Sequence, residues 1–541
     1  LKYYPNAQWN DYKTTDAYGW QKQADVDGSA KYAGGNWYKT GTASTMNFYS
    51  YYPAFTTTVL DEDTGTYSST YNTSLETTMS YGPYKLVEYQ QDKSMKFVKN
   101  ENWFGYTDGK HIYKDPTDGL IYPMYQTNII ETEVVAEAET RKMMFLKGEL
   151  MGYGLGAEDF ATYRSSEFCY ASPGSTIFFL ILNGNAQAIA NRENSEGFDK
   201  ATTDLECMML KSFHQALGLT YDKDLFAATI SPARSGAFGI IGDAYIYDPE
   251  TGARYRDTDQ AKQVLCDFYS VDVSKFANLT EAADSITGYD PEMAKTYFKQ
   301  AFDEAIAAGY ITDADGDGIS DQTVSIEYCI SQDSDFMTKT VDYLNEKVAE
   351  VAAGTPFEGK INFYKSGPYG NEWSDKIKQG LSDTVLGGWN GSLMNPFGLT
   401  DLYTNPAYQY DAAWYDATKV ELTINVPVNG VDTDVTMSLK QWSDCLNGAT
   451  GAKYDWSSNA LDESQRLQLI AALEKEVLKT YYVLPCYNSF GASLISFKLD
   501  YVTYEYNTFM SYGGMKYMTY NYDDAAWAAY VAEQGGTLNY K

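Results

Sequence analysis

Histidine is nearly absent from this 541-residue chain, which has only His111 and His214. A Ser-His-Asp or Cys-His centre would have to use one of them, and neither lies in a motif that supplies its partners. The six cysteines, Cys169, Cys207, Cys266, Cys329, Cys445 and Cys486, are far apart and form no CxxC pair. That excludes thiolate metal clusters and dithiol redox motifs, and leaves one or two disulfides or buried thiols as the alternatives. Basic residues are also scarce, 41 against 73 acidic ones, for a net charge of -32. A negative field of this size repels phosphates, so no nucleic-acid or anionic-lipid partner is expected. No apolar run reaches the roughly 18–20 residues needed to cross a bilayer, and the first residues, LKYYPNAQWN, carry neither part of a signal peptide. The chain reads as soluble.

What is present fits an ordinary globular protein, with 44% apolar and 21% charged residues over a length suited to two or three domains. Tyrosine, at 50 residues, is abundant and supplies rigid amphipathic surface for gripping varied ligands. Residues 1–80 show little periodicity and are expected to be loops with short strands. From Tyr84 the segments YKLVEY and SMKFVK alternate as a hairpin. The stretch 128–135 is expected as a strand, followed by a helix with Met143, Met144 and Leu146 on its buried side and Gly148 at its end. A second helix begins at Pro291, with Met293, Tyr297, Ala301 and Ala305 on one stripe and Gly309 closing it.

The region from 324 to 389 is the most telling. VSIEYCI (324–330) is a strand, and Phe336, Val341, Leu344, Val348 and Val351 recur at helical spacing. KINFYKS is a second strand, EWSDKIKQG a short helix and TVLGGW (384–389) a third strand. This alternation implies a parallel sheet, whose ligands gather beyond the carboxyl ends of its strands. Gly388, Trp389 and Asn390 fall at such an end. Farther on, a hairpin turns at Asn429-Gly430, and Asp462 with Gln465 has the spacing of a capping box.

Between helix and sheet lies ITDADGDGISD (311–321). Asp313, Asp315, Asp317, the backbone carbonyl of Ile319, and Asp321 have the spacing of a calcium loop with Gly318 at its sharp turn. The twelfth position is Val324, so the bidentate acid is missing. The alternative is an acidic surface turn. The loop feeds the amino end of a strand, away from where ligands gather, so calcium here would brace structure.

Several motifs, in order, carry a resemblance to a known family: SYGPYKLVEY and MKFVKNENWFG (80–105), ETEVVAEAETRKMMFLKGEL (131–150), FFLILNGN (178–185), SFHQALGLTYDKDLF (212–226), ISPARSGAF and VLGGWNGSLMNP. The chain resembles the bacterial extracellular solute-binding proteins of family 5, the oligopeptide-binding class serving ABC importers, over roughly residues 80–541. The resemblance implies an α/β, two-lobed fold of the type II periplasmic-binding-protein kind, with mixed sheets and hinge strands. Lobe I would hold residues 1–128 and 485–541 and lack an amino-terminal part, and lobe II would hold 129–484. It further implies a binding protein and no enzyme: a monomer at the cell surface, as a lipoprotein, or in the periplasm, capturing an oligopeptide between its lobes for an ABC permease. No cofactor is required, and structural Ca2+ is one of the two readings of the aspartate loop.

Asn183, Gly388, Trp389, Asn390, Ser392 and Tyr487 are the expected ligand contacts. Ser392 stands where peptide binders of this family often place an aspartate for the peptide ammonium, so a charge-assisted bond of about 1.5–3 kcal/mol is missing. An oligosaccharide receptor is the alternative within the class. A secreted glycoside hydrolase, needing two facing carboxylates about 5–10 Å apart, is the alternative outside it.

Overall fold

A computed structural model describes residues 82–115, 119–230, 234–248, 251–390, 396–405, 416–457, 461–501 and 514–541, with short strands and a few isolated residues elsewhere. The chain divides into two compact units, residues 1–151 with 496–538 and residues 152–495 with 539–541. These limits differ from the expected lobes at 128/129 and 484/485, and strand pairing is the reason. Residues 129–133 pair inside the first unit, and residues 483–495 pair inside the second.

In the first unit, β1 (Tyr84–Gln90), β2 (Ser94–Lys99) and β3 (Ile129–Glu133) form an antiparallel sheet in that order. Asn100 ends the hairpin, its amide donating to the carbonyls of Gly82 (3.0 Å) and Ser80 (3.3 Å). The helix α1 (Ala138–Leu146) follows. Its buried residue is Phe145, whereas Met143 is 47% exposed, contrary to the expected stripe. Four apolar residues in succession, 143–146, leave the period undecided, so the tertiary neighbour chooses the face. Gly148 is required twice over: its φ is +77°, and a Cβ there would lie 2.8 Å from Val531 and 3.1 Å from Trp527. Trp527, on the helix Asp524–Glu533, donates to the Gly148 carbonyl at 2.8 Å.

The second unit is built on a mixed sheet. Its central path runs β4 (Gly152–Gly154), β9 (Val483–Ile495), β5 (Cys169–Leu182), β8 (Thr384–Trp389), then β6 (Thr323–Cys329), with β7 (Ile361–Ser366) also paired to β6. β6, β7 and β8 are mutually parallel as the alternation predicts, while β5 and β9 add an antiparallel pair. The run Ile177 to Leu182 is apolar throughout because both faces of the sheet are covered. Ile177, Phe179 and Ile181 join one core with the helix α4 (Glu463–Thr480). Leu180 and Leu182 join the other, with α2 (Pro291–Ala308) and α3 (Asp335–Ala352).

α2 is capped by Asp290, which accepts from the Met293 amide, and ends at Gly309 with φ +77°. Its buried stripe is Ala294, Phe298, Ala301, Phe302 and Ala305, turned by about one residue from the expected one, and Met293 is exposed. Two phenylalanines bury more area than Met293 and Tyr297 would, so the helix turns toward them. The turn Asn429-Gly430 has both φ values positive, and Asp462 with Gln465 forms the capping box. All six cysteines are free thiols.

Candidate ligand-binding site

β5 is the axis of the site. Phe178 lies opposite Gly388 of β8 on one side and Tyr487 of β9 on the other, while Ile177 lies opposite Trp389 and Asn488. Directly opposed residues point to the same face of a sheet. Gly388, Phe178 and Tyr487 therefore share one face, and Trp389 is turned to the other, where it packs half-buried against the α4 core. The two glycines of β8 follow from their neighbours. A Cβ on Gly387 would come within 2.9 Å of Ile181, and one on Gly388 within 2.9 Å of Phe178, so bulky side chains on β5 exclude them on β8.

Gly388, Trp389, Asn390 and Tyr487 thus meet at one end of the sheet, the carboxyl end of β8. Gly388 and Asn390 are exposed there. Ser392 lies outside the described residues. Asn183 does not join them: it follows the opposite end of β5 and is 1% exposed. Its amide donates to the carbonyls of Gly380 and Ser382, both at 2.9 Å, and its oxygen accepts from the Asn185 amide at 3.1 Å. Asn183 closes a backbone turn, and its side chain has no donor left for a ligand.

Tyr487 is 1% exposed and stacks on Phe178, ring centroids 4.8 Å apart and planes 21° from parallel. Burial pushes its hydroxyl above the usual phenol range, with Arg234 acting in the opposite direction. Arg234 is the residue that sequence reasoning missed. Its guanidinium carbon lies 4.5 Å from the Tyr487 ring, 4.6 Å from Phe336 and 6.0 Å from Phe178. The segment after it is firmly held. Ser235 and Gly236 pair with Asn488 and Tyr487, the Gly236 amide donates to Asp224 at 2.8 Å, and the Asn488 amide donates to the Gly236 carbonyl at 3.1 Å. Nη1 of Arg234 is buried without a hydrogen-bond partner, and no carboxylate of the described residues pairs with this cation. Three rings contributed by β5, β9 and α3 leave no periodic trace in ISPARSGAF, so only the assembled fold reveals it.

A separate cavity of about 610 Å³ lies against β6 and β7, with Arg192, Glu327, Tyr364 and Lys376 in its wall. Its arginine is already balanced: Arg192 pairs with Asp383 at 2.7 Å and with Glu327 at 2.8 Å. In the aspartate loop, one carboxylate oxygen from each of Asp313, Asp315 and Asp317 lies within 4.8 Å of the others. Asp313 Oδ1 is buried and without a hydrogen-bond partner. Asp321 is turned into the loop, accepting from the Thr312 hydroxyl at 2.6 Å and the Ala314 amide at 2.9 Å, and the Ile319 amide donates to Asp317 at 2.8 Å.

Comparison with known proteins follows the same lines. The family described as bacterial extracellular solute-binding proteins, family 5 Middle, matches residues 38–411. No curated protein matches. Among solved structures, the chain is similar to Listeria monocytogenes OppA bound to peptide, at 14% identity and a TM-score of 0.52, covering 84% of this chain and 67% of that one. It is similar also to the pheromone receptor PrgZ, at 14% identity and a TM-score of 0.50, with the same coverage. At such identities the likeness shows the α/β fold. None of the described helices is long and apolar enough to cross a membrane. The match spans well over half of the sequence, and the chain belongs to the bacterial extracellular solute-binding proteins of family 5.

Proposed function

We propose that this protein captures oligopeptides outside the cytoplasm and hands them unchanged to the permease of an ABC importer. The observation that carries this reading is the family match over residues 38–411. Two further points support it. The solved structures with the same fold include one described as bound to peptide. The carboxyl end of β8 offers exposed backbone at Gly388 beside half-buried aromatic rings, a surface suited to main-chain pairing with side-chain pockets. The chemistry is binding without turnover, and the protein acts as an anchored or periplasmic monomer.

Thermal unfolding with and without mixed pentapeptides tests this. A peptide at 100 times its dissociation constant stabilises the fold by about 2.7 kcal/mol. Neutral oligosaccharides in a parallel arm should leave the midpoint unchanged, and stabilisation by sugars alone, or cleavage of either ligand, would overturn the reading. Asn390→Ala should leave stability within about 0.5 kcal/mol, because the residue is exposed, and weaken peptide binding by up to about tenfold, the loss of one hydrogen bond.

The same reading gives Ca2+ the task of bracing residues 313–321. Asp313, Asp315 and Asp317 would hold it, and the buried Asp313 oxygen supports that fit. The loop leads into the amino end of β6, whereas the candidate contacts sit at the carboxyl end of the parallel β8. Chelation is therefore expected to lower the unfolding midpoint without changing peptide affinity, and Asp315→Asn to abolish the chelator's effect.

A further inference from the structure

Arg234 is a half-buried cation with aromatic neighbours and, among the described residues, no paired carboxylate. The rings of Tyr487 and Phe336 lie within 4.6 Å of its guanidinium carbon and Phe178 lies at 6.0 Å, while Nη1 has no hydrogen-bond partner. Ring faces attract a guanidinium but accept no conventional hydrogen bond in its plane, so beside its bond to the Tyr487 hydroxyl the guanidinium keeps donor capacity at Nη1. Two other half-buried arginines of this unit are matched: Arg256 pairs with Glu474, and Arg192 with Asp383 and Glu327. Arg234 has no such carboxylate among the described residues, and it stands beside Tyr487, near the candidate contacts at the carboxyl end of β8.

We infer that Arg234 is the anchor for a carboxylate on the bound ligand, held by the guanidinium fork between the rings of Tyr487 and Phe336. This rests on the peptide-binding reading and names a residue and a chemical group for it.

Three features point to a carboxylate in particular. A guanidinium fork matches two coplanar oxygens at hydrogen-bonding distance. One arginine balances one unit of charge, and a doubly charged phosphate would stay half neutralised in a chain whose net charge is -32. Arg234 is only half-buried, and the exposed Gly388 places no side chain beside Phe178 on this face of the sheet. Phe336 stands in the first turn of α3, the end of a helix that carries partial positive charge. The carboxylate has two sources in a peptide, the chain terminus and an acidic side chain.

The test uses the full chain as parent, Arg234→Gln and Arg234→Lys. Three pentapeptide libraries without basic side chains serve as probes: free acids, the same peptides amidated, and the amidated set with one internal Glu. Calorimetry should give at least tenfold tighter binding to the parent for one carboxylate-bearing library than for the amidated one. The library that gains identifies the source. That advantage should vanish in Arg234→Gln and return in part in Arg234→Lys, while the amidated library binds parent and variants alike. Equal binding of all three libraries to the parent would overturn the inference and leave the peptide reading standing. So would an equal loss for all three in Arg234→Gln, the mark of a structural role. If no library binds, the peptide reading falls, and the Arg234 Nε–H resonance decides the rest. A shift on titrating sodium acetate, absent with sodium chloride, retains the carboxylate site, and no shift overturns it.

Discussion

Glu474 is fully buried on α4 and collects five donors: the amides of Ile240 (2.9 Å) and Ile241 (3.2 Å), the Tyr255 hydroxyl (2.9 Å), and Nη1 (2.9 Å) and Nη2 of Arg256. A carboxylate out of water is tolerable only when its lone pairs are met in this way. Glu474→Ala would strand the Arg256 charge and two backbone amides, and should destabilise the protein by about 3–5 kcal/mol in urea unfolding. His214 gives a second residue-scale prediction. It is completely buried, and burial lowers its pKa from 6.5 to about 4. Between those values the unfolded chain binds a proton that the folded one does not, so stability falls as pH drops through that window. At about 1.4 kcal/mol per pH unit the loss is roughly 3 kcal/mol. Asp204 and Asp383, both pushed up to about 6 by burial, act in the opposite direction, so the readout is the difference from His214→Gln. The parent should lose more stability than the variant between pH 6.5 and 4.

Elements were legible where the pattern was strong and local. The strands and helices from 324 to 389, the Asn429-Gly430 turn and the Asp462 capping box all follow from periodicity and turn chemistry that act within a few residues. The stripes of α1 and α2 were less legible, because packing against distant residues selects among neighbouring apolar positions. Least legible was the pairing of β5 between β8 and β9. Their partners lie some two to three hundred residues away, and the 13-residue β9 has no alternation to announce it, being covered on both faces over its first half. The same distance hid Arg234, whose environment comes from three separate elements. β8 makes the element-scale prediction: Gly387→Ala would press a methyl to 2.9 Å from Ile181 and 3.1 Å from Phe179 in a closely packed layer. Overpacking of this kind costs about 1–3 kcal/mol, measurable as a lower midpoint in thermal unfolding.

For the molecule as a whole, two compact units and a mixed α/β sheet accompany the family membership. Of the contacts expected from sequence, Gly388, Trp389, Asn390 and Tyr487 come to one end of the sheet, and Asn183 goes to the other. The motif order carried that much because it tracks strand ends. Which face each side chain takes depends on register, which the motifs do not encode.

The central claim, capture of peptide without chemical change, is tested most directly by mass spectrometry of the protein purified under native conditions, followed by incubation with the released molecules. The account predicts a series of short peptides bound at one per chain and recovered intact after incubation. Recovery of carbohydrate in their place, or fragmentation of the released molecules by the protein, would contradict it.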